Sequence, residues 1–166
     1  MMNKNQSLLI ILFLLFSGVS FAHEGHHPAD EHGEHIKKSA NIEEAAIFKK
    51  INNDYVKNVR PIFQQSCFNC HSTQTQYPWY YKIPGVKQLI DHDTREAKEH
   101  IDMTNDFPFK GHGTVSEDLE AIQESIQKNT MPLWRYRVMH RDSQLKDAEK
   151  QTILKWVKES EERLKR

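Results

Sequence analysis

Residues 66–81 read SCFNCHSTQTQYPWYY, and everything else in the chain is read outward from them. Cys67, Cys70 and His71 form C-x-x-C-H, the attachment pattern of a c-type haem. Two thiols can hold the porphyrin through thioethers, which leaves the next imidazole for the iron. A two-cysteine redox site of the thioredoxin type is the rival reading. That site expects a strand before the motif, whereas the residues before Cys67 have helical spacing and a histidine follows Cys70 directly. These are the only two cysteines among 166 residues. Two anchors and one iron ligand must face the same side of a planar ring, so SCFNCH is expected to form a tight helical turn.

The start of the chain supports this reading. A short basic opening precedes the apolar run LLIILFLLF (8–16), and Ser20 and Ala22 are small residues placed for a cut after Ala22. The apolar run is too short to cross a hydrocarbon core of roughly 30 Å as a helix. Residues 1–22 are therefore expected to be an export signal and the product to be periplasmic, where c-type haem attachment is completed. Lys+Arg and Asp+Glu both number 23, and losing Lys4 with the signal leaves a net charge of −1. That balance argues against nucleic acid as a partner. The mean hydropathy of −0.76 already includes the signal, so the remainder is more polar still. A cofactor that enlarges the core helps such a chain fold.

Residues 23–40 open with HEGHHPADEHGEH, which holds five of the ten histidines. Without apolar periodicity this reads as a flexible tail, a solvated leader in preference to a site that captures Zn, Cu or Ni ions. From residue 41 to residue 166 the pattern is that of one domain. Ile42, Ala45, Ala46, Ile51, Tyr55, Val59, Ile62 and Phe63 recur at helical spacing, with a joint expected near Arg60-Pro61. The stretch 72–85 reads as a loop, whose Tyr77 and Trp79 are candidates for a pocket wall beside the cofactor. Further helices are expected over about 86–103, from Ser116 to Thr130, and over about 146–161. WRYRVMHRDSQ (134–144) reads as an aromatic and basic connection. The fold expected is all-α, a cytochrome-c-like helical domain around one covalent haem c.

The far side of the iron is the open position. Met131, in TMPLW, follows a helix and precedes proline, and a neutral thioether favours reduced iron. As a lone methionine it also suits core filling. His92, His100, His112 and His140 compete with it, as does an open position. Two protein ligands suit electron transfer, and an open face suits binding or activating small oxidants. Arg60, Arg95, Arg135 and Arg137 are candidates for the haem propionates, the last two favoured because they follow Met131 closely.

YVKNVRPIFQQSCFNCHSTQTQYPWYYKIP closely resembles the opening of the bacterial haem-binding domain family, exported c-type proteins with one haem. Thr75, Tyr77, Pro78, Trp79 and Tyr80 match its Thr–Tyr–Pro–Trp–Tyr segment. Met131-Pro132, Tyr136 and His140 match its later motif, and Glu149 and Trp156 its last helix. The resemblance runs from about Tyr55 to Val157, with a departure at HDTREAKEHIDMTNDFPF (92–109). It implies His71 and Met131 as the iron ligands in a mostly helical domain. The function expected is one-electron transfer to a transient redox partner, as a monomer or weak oligomer with peripheral membrane proximity possible. The alternative is a redox or small-ligand sensor, and an enzyme of peroxidase type is a third class.

Overall fold

The structure, a computed structural model, describes the backbone of residues 30–166 and the side chains of residues 41–166. The expected signal, residues 1–22 with the cut after Ala22, and the first part of the histidine-rich stretch lie outside the described residues. Seven α-helices occur among the described residues: α1 (Asp30–Asp54), α2 (Arg60–Ser66), α3 (Phe68–His71), α4 (Val86–His100), α5 (Val115–Gln127), α6 (Trp134–Met139) and α7 (Asp147–Leu164). No strand is formed by these residues, and one antiparallel bridge pairs Asp102 with Lys110. The all-α expectation is met.

Helix α1 begins inside the stretch expected to be a flexible tail, because its backbone is already helical at residue 30. Glu, Lys and Ala from residue 34 to residue 46 have good helix propensity, which needs no apolar stripe to act. After Asp54 the chain widens into a π-helical turn, Tyr55–Val59, in which the Arg60 N–H donates to the Tyr55 carbonyl five residues back. Pro61 then falls in the first turn of α2, where a missing N–H costs nothing. The wide turn absorbs the proline, and the helical path continues to Ser66.

The core is aromatic and lies where α1, the π turn and α2 meet α5 and α7. Tyr55, Phe63, Phe107, Phe109 and Trp156 pack with centroids 5.2 to 6.5 Å apart, mostly edge to face. The Trp156 Nε1–H donates to the Ile51 carbonyl at 3.3 Å, which joins α7 to α1. Ile153, Trp156 and Val157 are the buried face of α7, and Leu119, Ile122 and Ile126 that of α5, as their spacing predicts.

Two segments depart from the sequence reading. Helix α4 stops at His100, and Ile101 turns extended, so the chain bridges Lys110 where more helix was expected. The segment expected to connect Met131 to the last helix contains α6 and a 3₁₀ turn, Arg141–Ser143. Six residues are too few for a helical period to show above the local mixture of aromatic and basic side chains.

Candidate haem site

The helical turn α3 carries the motif. Its backbone closes through Cys70 N–H to the Cys67 carbonyl at 3.1 Å and His71 N–H to the same carbonyl at 3.0 Å. Residues three and four apart on a helical turn share a face, so Cys67, Cys70 and His71 project together. All three line one cavity of about 1130 Å³. The opposite side of the turn is anchored by Phe68, which is buried in the core.

His71 is held by an acceptor that no local pattern announces. Its Nδ1 lies 2.9 Å from the carbonyl of Ile101, thirty residues on. That carbonyl is available because α4 ends at His100. Backbone also ties the two segments, with the Met103 N–H donating to the His71 carbonyl at 2.6 Å. Burial holds the imidazole below its ordinary pKa, and the hydrogen bond to Ile101 opposes this only in part. The result is a neutral ring with Nδ1 committed and Nε2 left to coordinate, the arrangement that a histidine ligand needs.

No disulfide joins the two cysteines. Burial pushes the Cys67 thiol up to about 12, with the nearby Cys70 adding to it. Burial also raises Cys70, where Asp93 adds to the shift and Arg135 opposes it. Reactive redox cysteines have lowered pKa values, so this environment is the reverse of thiolate activation.

The other walls come from distant segments. Val86, Leu89, Ile90 and Ala97 of α4 face the cavity, as do Ile122 and Ile126 of α5. Tyr77 and Trp79 line it too, as the sequence led us to expect, although Trp79 is 78% exposed. Met131 lines it along with Pro132 and Leu133, and is 38% exposed. Helix α5 is stopped ahead of it by Asn129, whose φ of +51° is a left-handed C-terminal turn.

His92, His100, His112 and His140 also line the cavity, so placement alone does not separate them from Met131. Their ring nitrogens do differ. His140 Nε2 is 2.8 Å from the Tyr80 hydroxyl, and its ring stacks on Tyr136 at 4.2 Å. His112 Nδ1 donates to the Glu99 carbonyl at 2.7 Å, and His92 Nδ1 accepts from Arg95 at 2.9 Å. His100 makes no side-chain hydrogen bond among the described residues, and its ring lies 4.7 Å from that of His112.

The arginines separate. Arg135 reaches the cavity, where its Nε and a terminal nitrogen grip Asp93 at 3.1 and 2.7 Å. Arg137 is not on the cavity wall. Positions two apart on a helix point to opposite sides, so only one of the pair can face inward. Arg60 is paired with Asp106, and Arg95 with Glu96 and Glu99.

Three contributors were not foreseen. Asn69 donates to the Tyr136 hydroxyl at 2.6 Å and accepts from the Gln76 N–H at 3.0 Å, fastening α3 to α6 and to the 75–83 loop. Asp93 holds Arg135. Asp118 is a carboxyl on the apolar stripe of α5, 4% exposed and on the cavity wall. The signal for Asp118 was its spacing, four residues before Ile122.

Burial raises the Asp118 carboxyl from its ordinary 3.8 to about 6, with His112 opposing and Glu117 adding. Between these values the folded chain keeps a proton that the unfolded chain has released. The favourable contribution is therefore complete below about pH 4 and is lost as pH rises through 6. Asp118→Asn is expected to be more stable than the native chain at pH 8 by about 1 kcal/mol, discounted because the side chain borders an open cavity. Urea midpoints should show that gain at pH 8 and none at pH 4. A gain equal at both values contradicts the assignment.

The chemistry of this donor set fits haem: two thiols and a neutral imidazole on one turn, facing an apolar cavity large enough for a cofactor. Comparisons with known proteins agree. A family model described as a haem-binding domain matches residues 31–159. Cytochrome c peroxidase Ccp of Escherichia coli (strain K12) is 28% identical over 128 residues, which cover 76% of this chain and 26% of that protein. The chain thus spans about a quarter of the length of that relative. No solved structure matches.

Proposed function

Because the chain belongs to the haem-binding domain family, we propose that it is an exported monohaem c-type cytochrome that carries one electron at a time. The observation that carries this reading is the shared cavity face of Cys67, Cys70 and His71, with His71 Nδ1 bound to Ile101. Cys67 and Cys70 would hold a single haem c through thioethers, and His71 Nε2 would take one axial position. Met131 would take the other. When bound, the haem supplies a one-electron ferric–ferrous couple.

The chain's own groups then have separate tasks. The Ile101 carbonyl orients His71 and raises its basicity as a ligand. The apolar faces of α4 and α5 exclude water, which favours the less charged ferrous state. Asn69, Tyr136, Tyr80 and His140 form a hydrogen-bonded and stacked wall that ties α3 to α6. Residues 1–22 would direct the chain to the periplasm, where its partner would be a redox protein engaged briefly.

The similarity to a peroxidase favours a second, related role. A region like this chain forms about a quarter of that enzyme. We infer that the present chain supplies electrons to a peroxide-reducing partner and does not itself turn over peroxide. Haem-loaded protein purified after export tests the one-electron chemistry and the lack of peroxide turnover. A reversible one-electron titration with negligible peroxide turnover is expected. Rapid peroxide consumption from a high-spin ferric resting state overturns the carrier reading.

A further inference from the structure

Helix α6 has two faces with different fates. Arg135, Tyr136, Met139 and His140 line the cavity. Trp134, Arg137 and Val138 share the opposite face at helical spacing, and none of them borders the cavity. Trp134 is 68% exposed and Val138 62% exposed. Filling the cavity therefore does not cover them.

The charge along α6 and along the stretch that carries Tyr80 is one-sided in sequence. No acidic residue occurs from Arg60 to Ile90 or from Ser125 to Arg141, yet these stretches hold seven basic residues. The remainder of the chain is correspondingly acidic, although the total is balanced. Arg60, Lys87, Lys128 and Arg135 are each paired with a carboxylate, whereas Lys82, Arg137 and Arg141 have no ion pair among the described residues. Asp142, just past Arg141, is the nearest opposing charge in sequence. Exposed tryptophan with a basic rim is the composition of an interface, where Trp and Arg dominate binding energy.

We infer that the outer face of α6, centred on Trp134 and Val138 and rimmed by Arg137 and by Arg141 just beyond the helix, is the docking surface for a redox protein with an acidic face. One helix of diameter roughly 10 Å separates this surface from the haem cavity, so a partner seated here is close to the cofactor. The basic rim steers an acidic partner, and the apolar centre holds it briefly. The inference rests on the carrier reading and deepens it by naming the partner's chemistry and its seat.

Reduced flavodoxin, an acidic one-electron donor, serves as the probe against the haem-loaded chain in stopped flow. The native rate should fall steeply with added salt. Arg137→Glu combined with Arg141→Glu should lower it about tenfold at low salt and flatten that dependence. Trp134→Ala should lower it with the salt dependence retained. Dithionite, a small reductant, should reduce all forms alike. Native protein reduced by dithionite but not by flavodoxin overturns the carrier reading. Fast reduction by flavodoxin that is indifferent to all three substitutions overturns the surface alone. The three side chains are exposed or half-exposed, so these variants are expected to fold, which circular dichroism verifies.

Discussion

Replacing both cysteines, Cys67→Ser with Cys70→Ser, is expected to convert a haem retained through acidified-solvent extraction into one that is stripped completely. The effect should be all or nothing, because extraction breaks coordinate bonds and leaves thioethers intact. Both sulfurs border the cavity at one turn of helix, Cys67 as the residue that caps α3 and Cys70 within it. Serine changes each side chain by one atom, so the fold should persist and the loss can be assigned to the covalent link. Single replacements should keep part of the haem through the remaining anchor. His71→Ala is the informative companion: covalent haem stays, while the low-spin spectrum of a two-ligand iron is lost. Haem retained through extraction in the double variant would falsify the c-type assignment.

Met131→Ala should lower the reduction potential by a substantial part of the roughly 0.8 V range over which axial ligands set haem potentials. A thioether donates weakly to ferric iron and so stabilises the ferrous state. Alanine removes that donor, leaving water or a histidine to replace it, and either one favours ferric iron. Met131 is partly exposed at the cavity edge, so truncation costs little core packing. The fall in potential can therefore be read as a change of ligand. The long-wavelength charge-transfer band of a thioether–ferric bond should disappear at the same time. If potential and spectrum both stay unchanged, Met131 is only wall, and His100 becomes the first replacement to test. It is the cavity-lining histidine whose side chain makes no hydrogen bond among the described residues.

The parts of the site legible in the sequence are those set by short-range geometry. Cys67, Cys70 and His71 fall within five residues, and a helical turn brings such neighbours to one face without help from the rest of the chain. The stripes of α4 and α5 were equally readable, since Leu89, Ile90 and Ala97 on one, and Ile122 and Ile126 on the other, repeat at helical spacing. Helix α6 was not. With six residues it shows no period, so Trp134–Met139 read as a connection, and the inward Arg135 could not be told from the half-buried Arg137. The early start of α1 was missed for the opposite reason. It is favoured by backbone propensity among Glu, Lys and Ala, where an apolar pattern was sought.

What the sequence by itself determined is the helical class, the family, and the turn that presents two thiols and an imidazole together. Each of these depends on spacing along the chain or on composition. Tertiary structure alone decided that Ile101 accepts from His71, that Asp93 engages Arg135, and that Asp118 is buried on the cavity wall. These contacts join residues separated by thirty or more positions, or depend on which face of a helix is covered. They arise from how α4, α5 and α6 close around the cavity, and no spacing along the chain encodes that closure.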